Sequence, residues 1–206
     1  PGQRRGVSDY DTTQQWNANF VWEVPYGRGK KWGNGIPGAL NQFLGGWQLS
    51  GLWQQSTELP VSVGNGRFWP TNFNITGWAT QTGVVPAPKK SKNAPAVAGR
   101  AGPNVFADPN PALKAYDYTF PGETGQRNGV RGDGYFTFDF GLGKRFLLPL
   151  EGHSLQFRWE TFNVPNAVRF DVNSLTLDLG NVGSFGKYSG LLNGPRVMQF
   201  SLRYEF

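Results

Sequence analysis

The sequence predicts an all-β chain with about five long antiparallel strands, of the kind that form part of a transmembrane β-barrel. Three observations support this prediction. Apolar and polar residues alternate along several stretches, which is typical of strands with one apolar and one polar face. Aromatic residues make up 15% of the 206 residues, whereas charged residues make up only 17%. The 29 glycines and 15 prolines indicate many turns.

The clearest alternation lies at residues 196–206. Every second side chain there is apolar, in the order Met198, Phe200, Leu202, Tyr204 and Phe206. A tilted strand needs about 9–11 residues to cross a bilayer, and this stretch has that length. The same pattern would also fit a half-buried strand at the edge of a soluble sheet. The rest of the chain therefore decides between the two interpretations.

The same alternation predicts four earlier strands. Their large apolar side chains share one face of each strand, and we expect that face to contact lipid: Trp16, Phe20 and Trp22; Trp47, Leu49 and Trp53; Phe136, Phe138 and Phe140; Leu155, Phe157 and Trp159. Lys144 falls on the apolar face of the third of these strands, near one end. We expect its aliphatic stem to extend to the membrane interface.

The connections between the predicted strands alternate in length. Residues 25–46 and 147–153 form the shorter connections, and residues 64–133 and 164–195 form two long loops. Barrels of the outer membrane have short periplasmic turns and long extracellular loops. We therefore expect the long loops to be extracellular and the C-terminus to be periplasmic. Residues 36–46 are compatible with one or two helical turns at the rim.

Aromatic residues of the first long loop are the candidate ligand-contacting residues, because barrel loops often carry function. They are Phe68, Trp69, Phe73 and Trp78. Their rings could stack on a sugar or a peptide, and the alternative is that the loop packs on itself. Arg131, Gly132 and Asp133 form an adhesive-looking tripeptide, but their Gly-rich context indicates a turn.

No residue pattern indicates catalysis, a metal site or a cofactor, so we do not expect an enzyme. His153 is the only histidine and lies in a predicted turn. Arg158 and Glu160 share the polar face of one strand, as do Arg203 and Glu205 in the last strand. A glycosidase-like carboxylate pair is one interpretation of these residues. We expect instead that they form ion pairs inside a polar barrel.

The composition excludes several other classes of protein and of binding site. Cysteine is absent, which excludes disulfides and thiolate metal sites. The net charge is +6, but the basic residues do not form one stripe, so nucleic acid is not an expected partner. No run of about 18 apolar residues predicts a transmembrane helix. Barrel strands alternate in polarity and need no such run.

Several segments together resemble the C-terminal end of Oar-like TonB-dependent outer-membrane receptors. The most specific are GGWQLSG, ETFNVPN and the aromatic C-terminus PRVMQFSLRYEF. The segments WNANFVWEVPYGRGKKW and FTFDFGLGKRF add to the likeness. The resemblance covers most of the chain outside the loop at 64–133.

The resemblance implies a barrel of about 22 strands in the bacterial cell outer membrane, with a plug in its lumen. Residues 1–206 would then be the C-terminal part of the barrel, and the plug and upstream strands would lie outside them. The implied function is energised uptake of a large nutrient. A soluble all-β binding or adhesion module that uses the aromatic loop is the alternative.

The resemblance also implies the partners. They are outer-membrane lipid, the remaining strands and plug of the same polypeptide, TonB through the absent N-terminal part, and the outer-membrane assembly machinery. In such receptors the last strand is read as an assembly signal. The residues of this chain that match the signal are Phe200, Leu202, Tyr204 and Phe206.

Overall fold

The computed structural model of the protein describes residues 6–68, 76–120, 123 and 125–206. The chain forms two compact units. The described residues of Pro1–Gln15, Ser56–Tyr135 and Arg169–Asn193 form one, which we call the loop unit. The other, the sheet unit, comprises Trp16–Gln55, Phe136–Val168 and Gly194–Phe206.

The strands and helices of the described residues follow one another in this order: β1 (Gln15–Glu23), α1 (Gly38–Leu44), β2 (Trp47–Ser56), β3 (Pro60–Val61), β4 (Gly64–Phe68), β5 (Thr76–Trp78), β6 (Thr80–Gln81), β7 (Ser91–Ala94), β8 (Gly102–Asn104), α2 (Pro109–Lys114), β9 (Tyr116–Asp117), β10 (Val130–Arg131), β11 (Tyr135–Leu147), β12 (Ser154–Phe162), β13 (Leu175–Thr176), β14 (Lys187–Tyr188) and β15 (Val197–Glu205). Short 3₁₀ helices span Val172–Ser174 and Val182–Ser184. No helix in the described part of the chain is long and apolar enough to cross a membrane.

The five long strands form one sheet in the order β1-β2-β11-β12-β15. They correspond to the five strands that the alternation predicts, and each has 9 to 13 residues. β12 pairs antiparallel with both β11 and β15. The all-β, antiparallel prediction is therefore confirmed.

The register of the sheet brings the apolar side chains of neighbouring strands onto one face. Trp159 lies opposite Phe200 in β15 and opposite Leu142 in β11. Directly opposite residues point to the same side of a sheet. The Trp159 and Phe200 rings stack with their centroids 6.1 Å apart, and the Phe140 ring meets Trp159 edge-on at the same distance.

Gly51 shows that the first two strands continue this face. A Cβ atom on Gly51 would lie 2.3 Å from the Phe20 ring and 3.2 Å from the Phe138 ring. The Phe20 ring thus occupies the space that a side chain at position 51 would need. On the opposite side of the sheet, a Cβ atom on Gly141 would lie 2.5 Å from the Ser50 hydroxyl.

The apolar face of the sheet is open to its surroundings. We use this name for the side that displays Trp16, Phe20, Trp22, Trp47, Leu49, Trp53, Phe136, Phe138, Phe140, Leu155, Phe157, Trp159, Phe200, Leu202 and Tyr204, none of which is buried. Phe200 is 69% exposed and Trp16 67%. A soluble sandwich would turn such a face inward, against a second sheet. Contiguous exposed apolar surface of this kind marks a contact with another apolar phase or protein.

Lys144 lies on the apolar face as expected, but the expectation that its stem extends to the interface is wrong. The residue is only 5% exposed. Its ammonium donates a hydrogen bond to the carbonyl of Gly45, the C-cap residue of α1. It also lies 5.0 Å from the ring centroids of both Trp47 and Phe146. A cation at the C-terminal end of a helix interacts favourably with the free carbonyl groups there.

The loop unit has a hydrophobic core of its own. Four short strands form a sheet in the order β13-β14-β8-β7, and the unit contains three further pairs of strands, β10-β3, β4-β5 and β6-β9. The Phe106 and Phe185 rings stack with centroids 6.4 Å apart, and both are 1% exposed. The two long loops are therefore folded. Their core joins residues that are far apart in sequence.

The assignment of the two faces predicts different effects for neighbouring substitutions in β1. Phe20→Arg, on the apolar face, should lower the free energy of unfolding by about 2–4 kcal/mol, the cost of an arginine at the bilayer midplane. Asn19→Arg, one residue away on the polar side, should be nearly neutral. The measurement is reversible urea unfolding of the full-length protein in lipid vesicles. Equal effects of the two variants would contradict the assigned faces.

Candidate functional site

The polar side of the sheet, which we call the polar face, carries charged and amide side chains. In β11, β12 and β15 the charged, amide and hydroxyl side chains of this face are Thr137, Asp139, Arg145, Gln156, Arg158, Glu160, Gln199, Ser201, Arg203 and Glu205. The Arg158 guanidinium lies 2.8 Å from the Glu160 carboxylate. The Gln199 amide donates a hydrogen bond to the second oxygen of Glu160 at 2.5 Å. The first of the expected ion pairs is present.

Glu205 is the centre of a second polar cluster near the C-terminus. The Arg145 guanidinium lies 3.1 Å and the Arg203 guanidinium 3.5 Å from its carboxylate. The Ser154 hydroxyl accepts a hydrogen bond from Arg145 at 2.8 Å and donates one to Glu205 at 3.2 Å. These carboxylates are neutralised by arginines, which supports the interpretation as ion pairs over a glycosidase-like pair.

A recess of about 510 Å³ opens on the polar face. Its charged and amide lining residues are Glu23, Lys30, Gln48, Lys144, Arg145, Gln156 and Arg158. The Lys30 ammonium lies 2.8 Å from Glu23, so part of the positive charge is paired. Such a lining offers hydrogen-bond donors and acceptors to water or to a polar solute. Among the residues that the structure describes, no three His, Cys, Asp or Glu side chains come together as a metal site.

The structure places only part of the predicted aromatic loop site. Phe68 is the last residue of β4 and pairs with Thr76 of β5, whereas Trp69 and Phe73 lie outside the described residues. Trp78 ends β5 and is 40% exposed. The Arg127 guanidinium lies over its ring, 5.6 Å from the centroid. One face of Trp78 is thus occupied by a cation from the same unit.

Two aspartates hold the N-terminal segment of the loop unit. Asp9 accepts hydrogen bonds from the Asn128 amide at 2.7 Å and from Arg127 at 2.5 Å. The Asn128 hydrogen bond, with help from Arg127, holds the pKa of the Asp9 carboxyl below its usual range. Asp11 accepts a hydrogen bond from Arg131 at 2.5 Å. The arrangement orders residues 6–11 against the first long loop.

The residues of the Arg131-Gly132-Asp133 tripeptide make their contacts with other residues of the loop unit. Arg131 is bonded to Asp11, and its guanidinium also donates to the Glu58 carbonyl at 3.2 Å. A Cβ atom on Gly132 would lie 2.6 Å from a Val172 methyl group, so the close approach requires glycine. These contacts support the interpretation as a structural turn over an adhesive motif.

Asp133 joins the two long loops, and nothing in the sequence pattern indicates this role. Its side chain is only 5% exposed and lies 2.6 Å from the Lys90 ammonium. Arg169 lies 3.8 Å away, and the backbone N–H of Phe170 donates to the second carboxylate oxygen at 2.9 Å. Because the partners come from distant parts of the chain, only the tertiary fold reveals the cluster.

The residues of the predicted assembly signal lie on the outer edge strand of the sheet. Phe200, Leu202 and Tyr204 are exposed on β15, and Phe206 follows its last residue. His153, from the turn between β11 and β12, forms a hydrogen bond between its Nδ1 atom and the Tyr204 hydroxyl. Its ring also stacks on Phe206, with centroids 6.5 Å apart. The only histidine therefore contacts the terminal aromatic residues.

The contacts of Asp133 predict that removal of its carboxylate strongly destabilises the loop unit. Asp133→Ala should lower the local stability by about 3 kcal/mol, because hydrogen bonds to charged groups contribute about 1.5–3 kcal/mol each. Asp108, an exposed N-cap of α2, provides a comparison, since Asp108→Ala should cost only about 1 kcal/mol. Hydrogen exchange of peptides from both long loops in the full-length protein measures the difference. Equal exchange in the two variants would contradict the role of Asp133.

Deletion of Phe206 can show whether this residue stabilises the folded protein by packing or promotes its assembly into the membrane. Phe206 is 91% exposed, so its deletion should leave the melting temperature nearly unchanged while the amount inserted into the outer membrane falls. His153→Ala is the matched control, because it removes the ring that stacks on Phe206 but keeps the terminal aromatic. Heat-modifiable migration of membrane fractions measures both quantities. A lowered melting temperature with unchanged yield would identify Phe206 as a packing residue instead.

Comparison with known proteins identifies one matching protein family. The model of the outer membrane beta barrel domain matches residues 1–199. No curated protein and no solved structure matches the chain. The match agrees with the strand order, the open apolar face and the polar face, and it gives the bacterial outer membrane as the location. The chain belongs to the outer membrane beta barrel domain family.

Proposed function

We propose that this chain forms the C-terminal part of the barrel wall and the extracellular loops of an Oar-like TonB-dependent receptor. In this proposal the receptor takes up a nutrient that is too large for passive pores. The main supporting observation is the folded loop unit, which has a hydrophobic core built from both long connections. Large ordered loops suit a receptor that selects its ligand before transport.

The open edges of the sheet support a larger barrel. β1 and β15 are edge strands, and a barrel in a bilayer must close so that no backbone group is left without a partner. Five strands are too few to close. We infer that residues 1–206 supply the last strands of a barrel of about 22, whose wide lumen is filled by a plug of the same polypeptide.

The two faces of the sheet then have separate roles. The apolar face contacts outer-membrane lipid, and the polar face lines the lumen, where its arginines and carboxylates are hydrated and paired. Ion pairs such as Arg158–Glu160 keep the lining polar without a strong field of one sign. The plug would meet this lining from inside.

The transport step needs no catalytic residue in this chain. The energy comes from the inner membrane through TonB, which contacts the N-terminal part of the receptor. The wall provides a rigid frame, and the loop unit gathers the ligand through surface groups such as Trp78. The terminal aromatic residues provide the signal that the assembly machinery reads.

The alternative of a soluble binding or adhesion module is not retained. Membership of the outer membrane beta barrel domain family and the exposed apolar face both oppose it. The internal contacts of the Arg131-Gly132-Asp133 tripeptide oppose the adhesive version in particular.

Two measurements on the full-length protein test the proposal. Proteoliposomes that contain it should not swell in isotonic arabinose, because the plug closes the lumen. The immobilised periplasmic domain of TonB should retain the detergent-solubilised protein, and a variant without the N-terminal TonB-contact segment should be lost. Rapid swelling together with no retention would identify an open pore and contradict the receptor proposal.

A further inference from the structure

Helix α1 exposes an apolar side at one end of the sheet. Leu40, Phe43 and Leu44 are spaced so that they lie on one side of the helix, and they are 51%, 68% and 48% exposed. Phe43 packs edge-on, with ring centroids 6.4 Å apart, against Phe146, which lies opposite Leu155 of the apolar face. The apolar side of α1 is therefore continuous with the apolar face of the sheet.

The helix is firmly attached to the sheet. The Asn41 side chain accepts a hydrogen bond from the Arg28 backbone at 2.8 Å, and the Gln42 amide donates to the Leu147 carbonyl at 3.2 Å. The Trp47 indole donates to the Phe43 carbonyl at 2.9 Å. Together with the buried Lys144 ammonium on Gly45, these contacts fix the exposed side of α1 in one orientation.

The surroundings of α1 are positively charged. Residues 24–46 contain Arg28, Lys30 and Lys31 but no aspartate or glutamate. A recess of about 360 Å³ between this connection and β11 is lined by Arg28, Lys30, Lys144 and Arg145, and none of its described lining residues carries a carboxylate. Its charge favours an anion.

Two cations of the connection that contains α1 are available: Arg28, which lines the recess, and Lys31, which follows it in the sequence. Lys30 pairs with Glu23, and Arg145 pairs with Glu205. Within the described residues, Arg28 and Lys31 form no ion pair. The Lys31 ammonium lies 5.1 Å from the ring centroid of Trp32, which is itself 54% exposed. Tryptophan beside a lysine is typical of the interface between a membrane and water.

We propose that α1 and the recess beside it form a binding site for the headgroup of an anionic phospholipid. The apolar side of α1 inserts among the acyl chains, Arg28 binds the headgroup phosphate in the recess, and Lys31 beside Trp32 adds a second cation at the membrane surface. We assign the occupant to the membrane and not to a free anion, because the recess adjoins exposed apolar side chains such as Phe43 and Leu147, which is 66% exposed. An amphipathic helix with flanking cations binds anionic membranes in this way.

The position of α1 in the sheet unit supports a phospholipid as the occupant. The connection that contains α1 and the turn between β11 and β12 lie at the short-loop end of the sheet, which faces the periplasm in barrels of this kind. The leaflet on that side supplies phospholipid headgroups. A bound headgroup there would fix the depth of the sheet in the bilayer. The proposal depends on the barrel family and is independent of TonB.

Native mass spectrometry of the full-length, delipidated protein in detergent tests the site. The probes are dioleoyl phosphatidylglycerol and dioleoyl phosphatidylcholine. The Arg28→Ala/Lys31→Ala variant is compared with Lys89→Ala/Lys92→Ala, which removes two exposed cations from the loop unit. Each cation near a membrane surface contributes about fivefold in affinity, so the first variant should bind phosphatidylglycerol about 25-fold more weakly. The control should bind it like the wild type.

Several results would overturn the proposal. These are equal affinity of the wild type for the two lipids, an unchanged affinity of Arg28→Ala/Lys31→Ala, or an equal loss in the control. Competition by millimolar inorganic phosphate would show a free-anion site and overturn the assignment to lipid. Heat-modifiable migration verifies that each variant is folded. If the double variant does not fold, Lys31→Gln alone should still lose about fivefold in phosphatidylglycerol affinity.

Discussion

The register between neighbouring long strands is the constraint on which the rest of this structure depends. A shift of one residue between β12 and β15 would turn every apolar side chain of β15 to the other side. Trp159 would then lose Phe200 as its opposite residue, and Glu160 would lose the Gln199 amide. One set of backbone hydrogen bonds thus maintains both the apolar face and the pairing of charges on the polar face.

The polar face has to satisfy its charges without a protein interior around it. Each carboxylate of its two clusters contacts at least one arginine, and Ser154 bridges Arg145 and Glu205. Exposed ion pairs of this kind contribute little to stability. Their effect is on the surface itself, which stays polar and hydrated.

The loop unit is stabilised differently from the sheet, because it has a buried hydrophobic core. Its core residues, such as Phe106 and Phe185, are removed from solvent in the way of a small globular domain, and Asp133 joins the two long connections through Lys90 and the Phe170 backbone. Loops with a core of this kind can present a ligand-contacting surface in a defined shape. Within the sheet unit, α1 is fixed by hydrogen bonds and exposes its apolar side.

The five long strands, their apolar faces, the Arg158–Glu160 and Arg203–Glu205 pairs and the helical turns of α1 could be predicted from the sequence, whereas the Arg145–Glu205 pair could not. The predicted features depend on a period of two, or on residues close in sequence, and both can be recognised along a single chain. The fold of the long loops was decided only by the tertiary structure. Their core, the Asp133 cluster, the burial of Lys144 beneath α1 and the contact of His153 with Phe206 join residues that are distant in sequence. No local periodicity encodes such contacts, because they form only when the sheet and the loops bring separate segments together.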